Sequence, residues 1–304
     1  MLLRYFLGTL LIAIPMWATW RGIQRTLLAE KKKSRSPFGE KLLRPAGESL
    51  RLKITDIRDG MLEEGMILSV CFVMPSLLLF LPQAGNLSPV WLAWSAVAAV
   101  CYTSALFRWR KLLALRKDLR NYQLGYDGER YVAAELDSLR SIGFRVFHDF
   151  VVDWKSGGEK TNFNIDHIAL GPCGIFAIET KARRKPNDPP SDSDKTHKAC
   201  FSGTTLQFSG GYEDAKAIKQ AVRNAKTLSD WLTGSCAVRI QVFPVVVVPG
   251  WWIDRKGKGE VRVMSGKELA KNLPTLEKPG PLTTETLRNA ADRIEAHCRN
   301  VEGT

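Results

Sequence analysis

The sequence predicts a mixed α/β domain, a mixed sheet flanked by helices, preceded by an all-α transmembrane region. Residues 5–20, 65–82 and 90–107 are uncharged apolar runs. From about residue 121, short alternating runs are interleaved with helical periodicities. The 304-residue chain carries a formal net charge of +13, with dense basic clusters at 21–58 and 108–120. That balance points to an anionic partner, either nucleic acid or an acidic lipid face.

Each apolar run approaches the roughly 17–25 residues of a spanning helix. The uncharged turn Gln83–Ser88 makes the second and third runs a hairpin. The first run, with no Ala-x-Ala cleavage site, reads as an anchor rather than a signal peptide. Basic residues from Arg21 to Arg58 and from Arg108 to Arg120 place both flanks in the cytoplasm and the turn outside. The expectation is a multi-pass protein of the inner (cytoplasmic) membrane, with residues 1–120 in the membrane region and 121–304 as a cytoplasmic domain. The 108–120 stretch repeats leucine at helical spacing and continues the third helix as a basic stalk. The basic segment 21–58 suits contact with anionic lipid.

In the second part, Val132, Leu136 and Leu139 share one face of a helix over 125–140. Residues 144–153 alternate as a strand. Two further strands flank the turn Gly171-Pro172-Cys173-Gly174. A Pro-, Ser- and Gly-rich excursion follows, with a weak hairpin near 199–209. Residues 212–232 form a strong helix, with Ile218, Ala221, Val222, Ala225 and Leu228 on one face. Residues 240–250 read as a strand buried on both faces. A last strand lies in "GEVRVMS", and helices follow at 266–273 and 283–298.

The two central strands carry Asp166, Glu179 and Lys181 where a core would take Val or Ile. Glu179 and Lys181 are two apart and share a face. Asp166 shares one with Asn164, and His167 points the other way as a packed or hydrogen-bonded residue. The plain structural account is an Asp/Glu–Lys ion pair at a strand end. One lysine does not neutralise two carboxylates, however, and a bound cation does; oxygen ligands suit Mg²⁺ or Mn²⁺. The six cysteines contain no CxxC pair and the four histidines show no ligand spacing, which removes a zinc site from consideration.

The order Gly128-Glu129 on a helix, Ile165-Asp166-His167 on a strand and Glu179-x-Lys181 on the next resembles the nuclease-related domain (NERD), within the wider PD-(D/E)XK nuclease group. The resemblance extends to Gln220 and Asn224 and covers roughly 121–250. Ile165 stands where the wider group has proline. The resemblance implies a restriction-endonuclease-like fold and a membrane-anchored, metal-dependent nuclease acting on cytoplasmic nucleic acid, DNA in the first instance. It implies Asp166, Glu179 and the carbonyl of Thr180 as metal ligands. Lys181 would orient the attacking water, Glu129 would complete the metal shell or anchor Lys181, and Gln220 would hydrogen-bond the site or a phosphate. Arg183, Arg184 and Lys185 are candidates for phosphate contacts. Bland counterparts stand beside these roles: a solvated acid at a helix start for Glu129, a surface amide for Gln220 and a solvated loop for the three basic residues. Two other functions compete, a membrane-tethered nucleic-acid-binding module without turnover and a membrane scaffold or sensor.

Overall fold

The computed structural model describes residues 18–19, 21–22, 25, 42–76, 89–156, 159–186, 197–209, 211–276 and 282–299. The chain divides into two compact units, Met1–Leu42 with Glu302–Thr304 and a larger one, Leu43–Val301, which contains every element below.

Helix α1 spans Glu48–Ser76 and α2 spans Pro89–Asp137. They pack as a hairpin in which Glu64 accepts from Arg108 (2.7 Å) and Lys111 (2.6 Å). The second helix runs unbroken from the apolar stretch through the basic stalk and across residues 120–121, where the composition changes. Among the described residues no helix is long and apolar enough to cross a membrane. The expected all-α transmembrane region therefore has no support among the described residues. In α1 the charged residues end at Glu64, and of the expected 65–82 run the described residues cover Gly65 to Ser76. In α2, Trp94, Ser95, Tyr102, Thr103 and Ser104 dilute the apolar run before Arg108. The expected span at 5–20 lies almost wholly outside the described residues, as does all of 77–88.

A central five-stranded sheet has the order β1-β2-β3-β7-β9, built from Arg145–Ser156, Glu159–Gly171, Gly174–Thr180, Val242–Val248 and Arg262–Ser265. The first three strands are antiparallel neighbours, whereas β7 pairs parallel with both β3 and β9. Between β3 and β7 the chain passes through α3, Lys216–Cys236, a connection that a parallel pair requires. Every residue of β3 is buried, as expected of a strand covered on both faces.

Two cores account for that burial. On one face Leu228 and Leu232 of α3 and Ile294 of α5 (Thr284–Cys298) pack on Ile165, Ile175 and Val242. On the other, Val132 and Leu136 of α2 and Leu269 of α4 (Gly266–Asn272) pack on Phe176, Ile178 and Val245. Each such side chain stabilises the fold by about 1.5–3 kcal/mol through burial.

The 199–209 hairpin is β4 (Lys198–Phe201) with β5 (Leu206–Phe208), and it belongs to a second sheet. That sheet has the order β6-β5-β4-β8, with Glu213–Asp214 at one edge and Trp252–Arg255 at the other. It packs Phe201, Leu206 and Ile253 against Ala217 and Ala221 of α3.

Candidate active site

Asp166 and Glu179 face each other across β2 and β3, one step beyond the last paired positions, His167 and Ile178. Both side chains are buried. Asp166 Oδ2 accepts from the Thr180 backbone N–H at 2.7 Å. Glu179 Oε1 accepts from Lys181 Nζ at 2.6 Å, and its Oε2 accepts from Asn224 Nδ2 at 2.9 Å. Lys181 Nζ also donates to Gln220 Oε1 at 3.1 Å. Glu129, Asp166, Glu179, Lys181 and Gln220 are thus gathered from α2, β2, β3 and α3.

Glu129 reaches the cluster because α2 crosses the end of β3 closely. A Cβ on Gly128 would lie 2.7 Å from Ala182 Cβ, so only glycine permits this approach. Glu129 is buried, and its Oε2 has no hydrogen-bond partner. Its carboxylate takes a backbone hydrogen bond from Gly47. Gly47 itself has φ +75°, and an added Cβ would meet the Tyr126 ring at 2.6 Å.

Three buried carboxylates share one lysine. Burial, then repulsion from Asp149 and Glu179, pushes the Glu129 carboxyl up to about 8. Burial, then Glu179 and Glu129, raises Asp166 well above the ordinary range. Burial raises Glu179 too, against the opposing pull of Lys181. Without a counter-ion the cluster therefore holds protons at neutral pH.

Two further participants are Asn224, to which the resemblance already extended, and Asp149, which the sequence reading did not single out. Asn224 enters from the buried stripe of α3, and its amide oxygen Oδ1 is buried without a partner. Its spacing, three after Ala221 and four before Leu228, is the signal that it faces inward. Asp149 has no comparable signal. Its backbone is left-handed (φ 50°), and it interrupts the β1–β2 ladder between His148 and Phe150. Its buried carboxylate accepts from Arg44 Nη2 (2.5 Å), the Ser49 N–H (3.0 Å), Ser49 Oγ (2.9 Å) and Asn164 Nδ2 (2.6 Å). Asp149 thereby ties the start of α1 to the sheet beside Glu129. Behind the cluster, His167 Nδ1 meets His148 Nδ1 at 2.9 Å and its Nε2 meets Thr180 Oγ1 at 3.2 Å. Burial, then His148, holds His167 well below its usual range, as a neutral packed residue.

The three basic residues after β3 differ in placement. Arg183 pairs with Asp214 and stands over the Tyr212 ring. Arg184 donates to the Arg120 carbonyl at 2.5 Å, and Lys185 is exposed.

Among the described residues no group of three or more His, Cys, Asp or Glu is placed to hold a metal ion. The chemistry of the donors nevertheless fits a hard divalent cation: two acids on adjacent strands, the neighbouring main-chain carbonyl of Thr180, and a third acid with a partnerless oxygen. Residues 124–249 match the model of the nuclease-related domain, NERD. No curated protein and no solved structure matches the chain.

Proposed function

We propose that this domain hydrolyses phosphodiester bonds of nucleic acid, DNA in the first instance, with Mg²⁺ or Mn²⁺ held by Asp166, Glu179 and the Thr180 carbonyl. The observation that carries this reading is the charge imbalance: Glu129, Asp166 and Glu179 are all buried, and among the described residues Lys181 bonds to Glu179 while Arg223 adds favourable charge there. A divalent cation offsets that imbalance and supplies the charge that polarises a phosphodiester and lowers the pKa of an attacking water.

The chain's own residues do the rest. Thr180 N–H fixes the Asp166 carboxylate, and Asn224 fixes the Glu179 carboxylate from the opposite side. Lys181 is held between Glu179 and Gln220. Its ammonium is therefore oriented to position water and to offset charge growing on the phosphate. Below about pH 8 and without a cation, Glu129 keeps a proton on its carboxyl, which leaves Lys181 to balance Glu179.

The same reading attaches the chain to the inner membrane through its first 107 residues, with the domain on the cytoplasmic side. Support comes from Leu62, Met66 and Val70 on α1 and Leu92, Val100 and Phe107 on α2, each more than half exposed. Apolar side chains in that density suit a lipid environment. In this reading the basic residues of 21–58 meet anionic headgroups.

A second reading is binding without turnover. It is favoured by the protein donors already bound to Asp166 Oδ2 and to both oxygens of Glu179. Calorimetric titration with Mg²⁺ and Mn²⁺ separates the two. The nuclease reading expects saturable binding that Asp166→Ala removes. Absence of binding by the wild-type chain leaves an ordinary ion cluster and the binding-module reading.

A further inference from the structure

A cavity of about 590 Å³ opens one residue beyond Lys181, lined by Leu124 of α2, Ala182, Arg183, Arg184, Phe208 and Tyr212 among others. Its volume is within the roughly 300–1,000 Å³ of ligand sites. Its walls combine aromatic rings with guanidinium groups. Tyr212 is 54% exposed. It is held in place. The Phe208 N–H donates to the Tyr212 carbonyl at 2.8 Å, closing the turn that carries the ring. The Arg183 guanidinium lies 5.6 Å from the Tyr212 centroid. Arg183 is in turn fixed by Asp214 and by Trp251, whose indole N–H donates to the Arg183 carbonyl at 3.1 Å. Phe208 forms the buried floor, with its ring 6.0 Å from Tyr212 and 5.0 Å, edge-on, from Trp251.

We propose that this cavity is a stacking subsite for an unpaired base of single-stranded nucleic acid, the Tyr212 ring taking the base and Arg184 the adjoining phosphate. The inference rests on reading the neighbouring carboxylate–lysine cluster as the phosphodiester-cleaving centre, and it names the substrate class of that centre. A ring that offers a π-face beside a positive charge is how single-strand binders hold bases without reading sequence. Bases inside a duplex are stacked on their own neighbours and offer no free face. Arg183 serves as the support beneath Tyr212, because Asp214 already neutralises it.

The test is fluorescence anisotropy with the full-length chain in EDTA, so that no turnover interferes. The probes are a labelled oligothymidylate and a duplex of the same length. Tyr212→Ala is expected to weaken single-strand binding by about tenfold or more while duplex binding changes less than about twofold, and Tyr212→Trp is expected to restore it. Equal losses on both probes, or none on the single strand, would overturn the subsite. A thermal melt of Tyr212→Ala that matches wild type excludes misfolding as the cause; if it melts early, Tyr212→Leu, which keeps the bulk and removes the π-face, decides by the same criterion. The readout is independent of cleavage. Tyr212-dependent single-strand binding with no Mg²⁺- or Mn²⁺-dependent cleavage sinks the nuclease reading and leaves the subsite. Cleavage with Tyr212-independent binding sinks the subsite alone.

Discussion

Replacing Glu129 by glutamine removes one of three competing charges while keeping the shape of the side chain. In the folded site the Glu129 carboxyl titrates at about 8, against an ordinary value of 4.5. Each unit corresponds to about 1.4 kcal/mol, so charging Glu129 in the folded domain costs on the order of 5 kcal/mol. The sign follows from linkage. A raised folded-state pKa means that the neutral form is favoured on folding. Stability is therefore fully present below pH 4.5 and is lost as the pH rises through about 8. Glu129→Gln escapes that loss. In EDTA the variant and wild type should melt together near pH 4.5. Their melting temperatures should separate as pH rises, reaching a plateau above pH 8 at which the variant melts roughly 10 °C or more higher. Asp166 and Glu179 contribute to the slope of both proteins, so the difference between the curves isolates Glu129 and its coupling to them. Adding Mn²⁺ should raise the wild-type curve and close the gap. A difference that is constant with pH, or a variant that melts lower throughout, would refute the crowding of charge on which this reasoning depends.

Arg44→Ala leaves Asp149 buried without its counter-charge and should cost about 3–5 kcal/mol in urea unfolding; a chain beginning at residue 121 should show at least that deficit, because Arg44, Gly47 and Ser49 all lie before it. Gly128→Ala should destabilise the domain by about 1–3 kcal/mol through its clash with Ala182, and Ala182→Gly in the same chain should recover most of that loss in thermal melts. Neutralising Arg184 and Lys185 should each lower the salt slope of nucleic-acid binding by about 1, whereas Arg183→Ala should lower stability instead, since Arg183 is paired with buried Asp214.

The central hairpin was legible because its two acids interrupt otherwise apolar strands beside a Gly-flanked turn. The α3 helix and β7 were legible because their periodicities are strong and uninterrupted. Strand β8 was not: it is four residues long, and its partner β4 lies about fifty residues earlier in the chain. No local pattern records such a pairing. The continuity of α2 through Gly125 and Gly128 was equally hidden. Glycine costs about 1 kcal/mol inside a helix, and only the close packing against Ala182 shows why it is kept there. The tie between Arg44 and Asp149 spans 105 positions and a left-handed residue, so neither partner carries a sign of the other.

The most direct measurement is cleavage of single-stranded circular DNA by the full-length chain with Mg²⁺, Mn²⁺ or EDTA, run beside Asp166→Ala, Glu179→Ala and Lys181→Ala. The account predicts cleavage by wild type that EDTA abolishes and that all three variants lack. It further predicts that Lys181→Ala retains Mn²⁺ binding, while Asp166→Ala and Glu179→Ala lose it and melt no lower than wild type without metal. No metal binding by wild type, together with three variants that melt lower by similar amounts, would contradict the account and leave these residues as a structural ion cluster.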